Sequence, residues 1–101
     1  MTIDVEEKDG KKVVRLAGRL DTNTAPKLEE AMKPLTAKKI DLAMDLSNLD
    51  YITSAGLRVF LSVHKKQQQA GKALTIHNAN ESVMEVFVIT GLWEKLTFVS
   101  E

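Results

Sequence analysis

The chain has 101 residues, no cysteine, and 14 basic residues that balance 14 acidic ones. A chain of this length supports one hydrophobic core, so we expect a single domain over residues 1–101. The absence of cysteine excludes disulfide frameworks and thiol nucleophiles, and the balanced charge gives no indication of a nucleic-acid or anionic-membrane surface. No segment approaches the ~20 apolar residues of a bilayer span, and no leader precedes the first strand pattern, so we expect a cytoplasmic protein.

The beginning of the chain has the pattern of a β-hairpin. Ile3 and Val5 alternate with charged neighbours, and residues 13–17 resume an extended pattern after the dipeptide Asp9-Gly10. An Asp-Gly pair between two strand patterns is typical of a two-residue hairpin turn. We therefore expect the fold to begin with two antiparallel strands.

The next segment combines a helix pattern with a strand pattern. Residues 21–24 carry capping side chains and are followed by Pro26 and by apolar residues at helical spacing, namely Leu28, Ala31, Met32 and Leu35. Apolar and polar residues then alternate over residues 40–46. This alternation predicts a strand that buries one face and turns Asp41, Ala43 and Asp45 outward to solvent.

The second half of the chain continues the alternation of helix and strand patterns. A second helix carries apolar-face residues at i, i+3, i+4 and i+7, which are Leu57, Phe60, Leu61 and His64. Residues 74–76 read as a short strand, residues 82–85 match a capping box that begins a third helix, and Gly91 ends it. This order predicts an α/β fold, a single compact domain in which alternating helices pack on a mixed, partly parallel sheet with an opening hairpin.

Three catalytic patterns are incomplete in this sequence. Residues 52–56 contain the second half of a hydrolase nucleophile elbow, but Ile52 stands where the first glycine is required. His64 and His77 have no second ligand at a metal-site spacing, so we expect structural roles for them and no metal site. The five glycines are scattered and form no phosphate-binding loop. We expect neither catalysis nor a cofactor.

Ser54 precedes the second helix pattern directly. A serine at this position accepts a hydrogen bond from a backbone N–H of the first turn, which stabilises a helix by ~1 kcal/mol. The residues alone therefore predict that Ser54 is the N-cap of the second helix, and they indicate no further role.

The segment DLSNLDYITSAGLRVFL, residues 45–61, resembles the signature of STAS domains, the family of bacterial anti-sigma factor antagonists. In this family a phosphorylatable serine is followed by a small residue, a glycine and a leucine, and residues 54–57 match that pattern. Residues 13–28 are similar to the family's second strand and following loop, and residues 82–99 resemble its third helix and a Gly-Leu step. The matches span nearly the whole chain in the family's order, so we expect one STAS-like domain.

The resemblance implies an anti-sigma factor antagonist that acts by partner switching. The unphosphorylated form would bind an anti-sigma factor that is also a serine kinase, and this binding frees the sigma factor. Phosphorylation of Ser54 would end the binding, and a serine phosphatase would restore it. The motifs, the balanced charge and the absence of a long apolar segment lead us to expect no cofactor, no direct contact with nucleic acid and no membrane insertion. Members with this switch commonly carry Asp before the serine, where this chain has Thr53.

The partner-binding site implied by the resemblance contains Asp21, Thr22, Thr53, Ser54 and Arg58. Asp21 and Thr22 match a family loop near the switch serine, and helix capping explains them equally well. Arg58 follows Ser54 at i+4, where its guanidinium can contact a partner carboxylate or a phosphate, or remain solvated.

Two other functions are compatible with this sequence. One is a STAS module that binds a protein constitutively, as a regulatory subunit of a transport or signalling complex, with Ser54 only a helix N-cap; Thr53 favours it. The other is a small enzyme or ligand-binding domain that holds an anion at the helix N-terminus near Ser54. The missing glycine loop disfavours this second alternative.

Overall fold

The computed structural model describes residues 1–99, which form five β-strands, three α-helices and one short 3-10 helix. The strands are β1 Thr2–Lys8, β2 Lys11–Leu20, β3 Leu42–Ile52, β4 Leu74–His77 and β5 Thr97–Val99. The helices are α1 Ala25–Ala37, α2 Ser54–Gln69 and α3 Glu81–Ile89, and the 3-10 helix spans Leu92–Glu94.

The strands form one mixed sheet in the order β1-β2-β3-β4-β5. β1 and β2 are antiparallel, and the other neighbouring strands are parallel. Asp9 (φ 53°) and Gly10 (φ 82°) connect β1 to β2, and two consecutive residues with positive φ are the hallmark of a type I′ hairpin turn. The predicted hairpin and the predicted α/β class with a partly parallel sheet are both confirmed.

One face of the sheet carries the hydrophobic core. Val14, Met44 and Ile76 lie side by side on β2, β3 and β4, and all three are buried. They belong to a single cluster that also includes buried residues from all three helices, among them Leu28 of α1 and Phe87 of α3. The helices therefore cover this face of the sheet, and the opposite face carries the polar side chains.

The polar face is not simply solvated, as the sequence pattern predicted for Asp45. The Asp45 carboxylate accepts hydrogen bonds from the Ser47 N–H at 3.0 Å and from Asn78 Nδ2 at 3.3 Å, and it lies 3.4 Å from Arg15 Nε. Partial burial acts to raise the pKa of Asp45, but these hydrogen bonds and the positive charge of Arg15 hold it below its usual value. Arg15 also pairs with Glu6 on β1. Asp45 thus ties β3 to its neighbours.

Asp41 is exposed as predicted, but its predicted position within the strand and the predicted exposure of Ala43 are wrong. β3 begins at Leu42, so Asp41 precedes the strand, and its Oδ1 accepts a hydrogen bond from the Ala73 N–H at 3.0 Å. Ala43 is only 3% exposed, and its register partners on the neighbouring strands are Val13 and Thr75.

Gln67 is a buried polar residue in the last part of α2, with 1% of its surface exposed. Its Nε2 donates hydrogen bonds of 2.8 Å to the carbonyl oxygens of Ile40 and Ala73. These two carbonyls belong to the segments that lead into β3 and β4. Gln67 therefore fixes the C-terminal half of α2 against the sheet.

The start of α3 differs from the prediction. The N-cap is Asn80, not Ser82: Asn80 Oδ1 accepts a hydrogen bond from the Val83 N–H at 2.8 Å. Asn80 Nδ2 donates to the Leu49 carbonyl at 3.0 Å, which joins the cap to β3. Gly91 follows the helix with φ 80°, so the predicted stop is confirmed.

Candidate functional site

The junction between β3 and α2 places two hydroxyl residues side by side. β3 ends at Ile52, and the extended backbone of Thr53 (φ −115°, ψ 177°) makes it the N-cap residue. Ser54 is the first residue of α2, so the prediction that Ser54 is the N-cap is wrong. Among residues 1–99, no side chain accepts a hydrogen bond from the first turn of this helix.

The two hydroxyls differ in accessibility. Ser54 is exposed to solvent. Thr53 Oγ1 is buried, and nothing in the described part of the chain forms a hydrogen bond with it. An enzyme that approaches this junction therefore meets Ser54 first. Because the N–H groups of a first helical turn and the helix dipole favour negative charge, a phosphate on Ser54 would be accommodated there.

The end of β2 lies against this junction. The Thr53 N–H donates a hydrogen bond of 3.0 Å to the Leu20 carbonyl at the end of β2. Gly56 packs on the Leu20 side chain so closely that a Cβ at Gly56 would lie 2.6 Å from Leu20 Cγ. The absence of a side chain at Gly56 thus allows the first turn of α2 to approach the end of β2. Leu57 is buried in the core, as its place on the predicted apolar face requires.

Asp21 follows β2 and shapes its own turn. Its Oδ1 accepts hydrogen bonds from the N–H groups of Asn23 at 3.0 Å and Thr24 at 3.1 Å, and its carbonyl accepts one from the Ala25 N–H at 2.8 Å. Partial burial acts to raise the pKa of Asp21, but the hydrogen bonds from Thr24 and Asn23 and the charge of Arg19 hold it below its usual value. The carboxylate is therefore ionised at neutral pH and orders the loop beside the junction.

Thr22 and Arg58 line the same shallow groove between α1 and α2. The groove has a volume of about 310 Å³, and Ala55 and Glu29 also line it. Arg58 is exposed, and its guanidinium makes no hydrogen bond or ion pair within residues 1–99. The structure thus places the predicted site residues around one end of the molecule, with Asp21 and Thr22 on one loop and Thr53, Ser54 and Arg58 at the start of α2.

One feature beside this site was not predicted. The guanidinium of Arg19 lies over the ring of Tyr51, 4.3 Å from its centroid, and Tyr51 is 44% exposed. The two residues face each other in the register of β2 and β3. Because that register includes two irregularities, the sequence pattern alone does not bring them together.

Residues 1–99 contain no group of three His, Cys, Asp or Glu side chains arranged to hold a metal ion. His77 Nε2 lies 2.7 Å from Thr75 Oγ1 on the same strand. Within that range no helix is long and apolar enough to cross a membrane.

The comparison with protein families agrees with these features. The sequence model of the STAS domain family matches residues 2–101. The chain belongs to the STAS domain family. The resemblance identified from the serine segment is therefore confirmed.

Individual relatives extend this result. An anti-sigma-B factor antagonist of Bacillus subtilis is 34% identical over 92 residues, which cover 91% of this chain and 84% of that protein. The crystal structure of an anti-sigma factor antagonist from Mycobacterium paratuberculosis has a TM-score of 0.82 and 28% identity, and the match covers 96% of this chain and 83% of that one. The phosphorylated form of the Bacillus cell fate determinant SpoIIAA has the same fold, with a TM-score of 0.74 at 16% identity and a match that covers 99% of this chain and 93% of that one. Antagonists of anti-sigma factors are regulatory binding proteins rather than enzymes.

Proposed function

We propose that this protein is a cytoplasmic anti-sigma factor antagonist that acts by phosphorylation-controlled partner switching. In the unphosphorylated form it binds a serine-kinase anti-sigma factor, and the sigma factor is released. Phosphorylation of Ser54 ends this binding, and a serine phosphatase reverses the modification. The observation that carries the proposal is the exposed position of Ser54 at the open first turn of α2, within a segment that matches the STAS family.

The charge of a phosphate accounts for the switch. A phosphoserine adds ~1.5 to 2 negative charges at neutral pH. The first turn of α2 tolerates this charge, so the modified domain stays folded. A partner surface that fits a neutral hydroxyl must instead desolvate the charge, and a penalty of about 3 kcal/mol already weakens binding roughly a hundredfold. The modification therefore acts on the complex, not on the fold.

The arrangement around Thr53 favours Ser54 as the acceptor. Thr53 stands where switching members of the family commonly carry Asp, and its hydroxyl oxygen is buried. Its main chain is engaged as well, because its N–H bonds to the Leu20 carbonyl and its carbonyl accepts the Leu57 N–H at 3.0 Å. Transfer of phosphate to Thr53 would require this junction to open, whereas Ser54 requires no rearrangement.

The second candidate function is a constitutive STAS binding module, a regulatory subunit of a transport or signalling complex. Thr53 in place of the family's Asp is the observation that favours it. In this case Ser54 is an ordinary first residue of α2 without a capping role.

Co-purification from the source cells, followed by mass spectrometry of the bound proteins, identifies the partner and separates the two candidates. Incubation of the purified pair with ATP is expected to place phosphate on Ser54 and to dissociate the complex. Ser54→Ala is expected to keep binding in the presence of ATP, and Ser54→Asp to bind at least about tenfold more weakly while melting near the wild type.

Thr53→Val is the matched control, because it removes the neighbouring hydroxyl and preserves the side-chain shape. It is expected to remain a substrate of the kinase. Phosphate on Thr53 alone would move the site by one residue. If neither hydroxyl is modified and Ser54→Asp binds like the wild type, the switch is wrong and the constitutive module remains.

A further inference from the structure

Helix α2 has an unusual distribution of charge. Its 16 residues include Arg58, Lys65 and Lys66 and no aspartate or glutamate. Helix α1 is different, because Glu29 and Glu30 stand among its lysines and Lys33 pairs with Glu30 at 2.9 Å. The exposed side of α2 is therefore positive along its length, although the whole chain carries no net charge.

These cations share one face of the helix. They line a shallow groove of about 450 Å³ whose six residues follow helical spacing, Arg58, Leu61, Ser62, Lys65, Lys66 and Gln69. Ser54 precedes Arg58 by four residues and lies on the same face. At a rise of 1.5 Å per residue, the strip from Ser54 to Gln69 is roughly 22 Å long. We call this face of α2 the cationic strip.

The charged groups of the cationic strip form no polar contacts within the described residues. Neither Arg58 nor the two lysines form an ion pair or a side-chain hydrogen bond with any residue from 1 to 99. No carboxylate lines the groove. Leu61 is partly buried and lies between Arg58 and Lys65 along the strip. The strip thus offers three free cations around one apolar side chain, on the same face of α2 as the candidate switch residue Ser54.

We infer that the cationic strip is a docking surface for an acidic segment of the anti-sigma factor kinase, in which carboxylates flank an apolar side chain that covers Leu61. The inference rests on the proposed function and adds a second recognition element to it. Cations that complement the charge of a partner accelerate association and fix its orientation. The matching occupant is a protein segment, since three cations on a chain without net charge, beside a helix α1 whose two lysines are balanced by two glutamates, give too small a positive field for a phosphate backbone.

The strip also couples docking to the switch. Arg58 lies one helical turn after Ser54, within reach of a phosphate on that residue. A phosphate at Ser54 therefore competes with the partner's carboxylates for Arg58. Phosphorylation weakens the complex both by the charge it brings to the interface and by the loss of this contact.

The test compares two charge-reversed proteins with the wild type, using the kinase that co-purifies with the chain. The first carries Lys65→Glu and Lys66→Glu. The matched control carries Lys38→Glu and Lys39→Glu, because these two lysines are also exposed, adjacent, near a helix C-terminus and free of ion pairs in the described range. Calorimetric binding is measured at about 50 mM and about 500 mM salt, where screening differs strongly. The KM and kcat for Ser54 phosphorylation provide a second measurement.

The strip variant is expected to bind at least about tenfold more weakly at low salt, with a smaller difference at high salt, and to raise KM without changing kcat. The control is expected to stay within about threefold of the wild type. Equal binding and equal KM for the strip variant would overturn the docking surface and leave the proposed function intact. Failure of the wild type to bind any kinase would overturn both. Binding of a single-stranded DNA 20-mer that the strip variant loses would assign the surface to nucleic acid instead.

Discussion

Helix α2 follows β3 and helix α3 follows β4, yet only α3 has a side chain that caps its first turn. Asn80 closes the start of α3, because its side chain accepts a hydrogen bond from Val83 and donates one to Leu49. Thr53 occupies the same position before α2 and contributes no side-chain bond to the helix. The chain thus caps α3 with a side chain and leaves without a side-chain cap the helix that begins at the exposed serine.

The open start of α2 is held by the main chain and by packing instead of by a cap. Thr53 bonds through its N–H to the end of β2, Gly56 packs against Leu20, and Gln67 anchors the far end of the helix. None of these contacts uses the hydroxyl of Ser54. The position of α2 is therefore independent of the residue on which the proposed switch acts, and substitutions around the two helix starts test this difference.

The largest effect is expected at Gly56. In Gly56→Val the first carbon would lie 2.6 Å from Leu20 Cγ and 3.1 Å from Ile52 Cγ1, and both of these side chains are buried. We expect the free energy of unfolding to fall by about 3 kcal/mol, measured by urea denaturation, because the core has no room for the added carbons. Ala55→Val, one residue earlier and partly exposed, is the control and is expected to cost less than about 1 kcal/mol. A small loss at Gly56 would show that the contact between α2 and β2 is loose.

The next effect is expected at Asn80. Asn80→Ala removes the cap of α3 and leaves the Leu49 carbonyl without its side-chain donor, so we expect a loss of about 2 kcal/mol in the free energy of unfolding. Thr53→Ala, the same change at the start of α2, is expected to stay within about 0.5 kcal/mol of the wild type, since no side-chain bond is lost. Equal losses at the two positions would contradict the comparison between the helix starts.

The sequence predicts local turns and helix ends better than it predicts the start of α3. The Asp9-Gly10 turn and the stop at Gly91 were predicted correctly, because each depends on a local backbone conformation that its own residues favour. The first residue of α3 was not, since Asn80 and Ser82 are both good caps. The choice between them involves the contact of Asn80 with Leu49 on a distant strand, which no local pattern contains.

The candidate site was predictable to a similar extent. The family resemblance predicts that Ser54, Asp21 and Arg58 belong to one partner-binding site. The structure places their segments at one end of the molecule. The sequence did not reveal that Thr53 holds the N-cap position, because two adjacent hydroxyl residues are equivalent in a sequence pattern. The hydrogen bond from the Thr53 N–H to the Leu20 carbonyl lies at the end of the β2–β3 pairing, and it joins residues that are far apart in the sequence.

A smaller effect of opposite sign is expected at Thr53. In Thr53→Asp, a carboxylate at the N-cap can accept the unused N–H groups of the first turn and interact with the helix dipole, so we expect a gain of about 1 kcal/mol at neutral pH. This gain is lost as the pH falls below about 4, where the carboxylate becomes protonated. Thr53→Asn is the uncharged control, and its gain should not depend on pH. Destabilisation by Asp at neutral pH would show that the buried surroundings of Thr53 Oγ1 exclude a charge.

The smallest effect on stability is expected at Ser54 itself. Ser54→Ala removes a side chain that is exposed and caps nothing, and alanine is the better helix former, so the free energy of unfolding should change by less than about 0.5 kcal/mol. Ser54→Asp should be equally tolerated, because a carboxylate in the first turn of a helix interacts favourably with its dipole. Thermal denaturation of the three proteins measures this directly. A loss of about 1 kcal/mol or more in Ser54→Ala would show that the serine supports the helix after all. A change within the expected range would mean that the fold does not depend on Ser54, and that any loss of partner binding in Ser54→Asp arises at the interface.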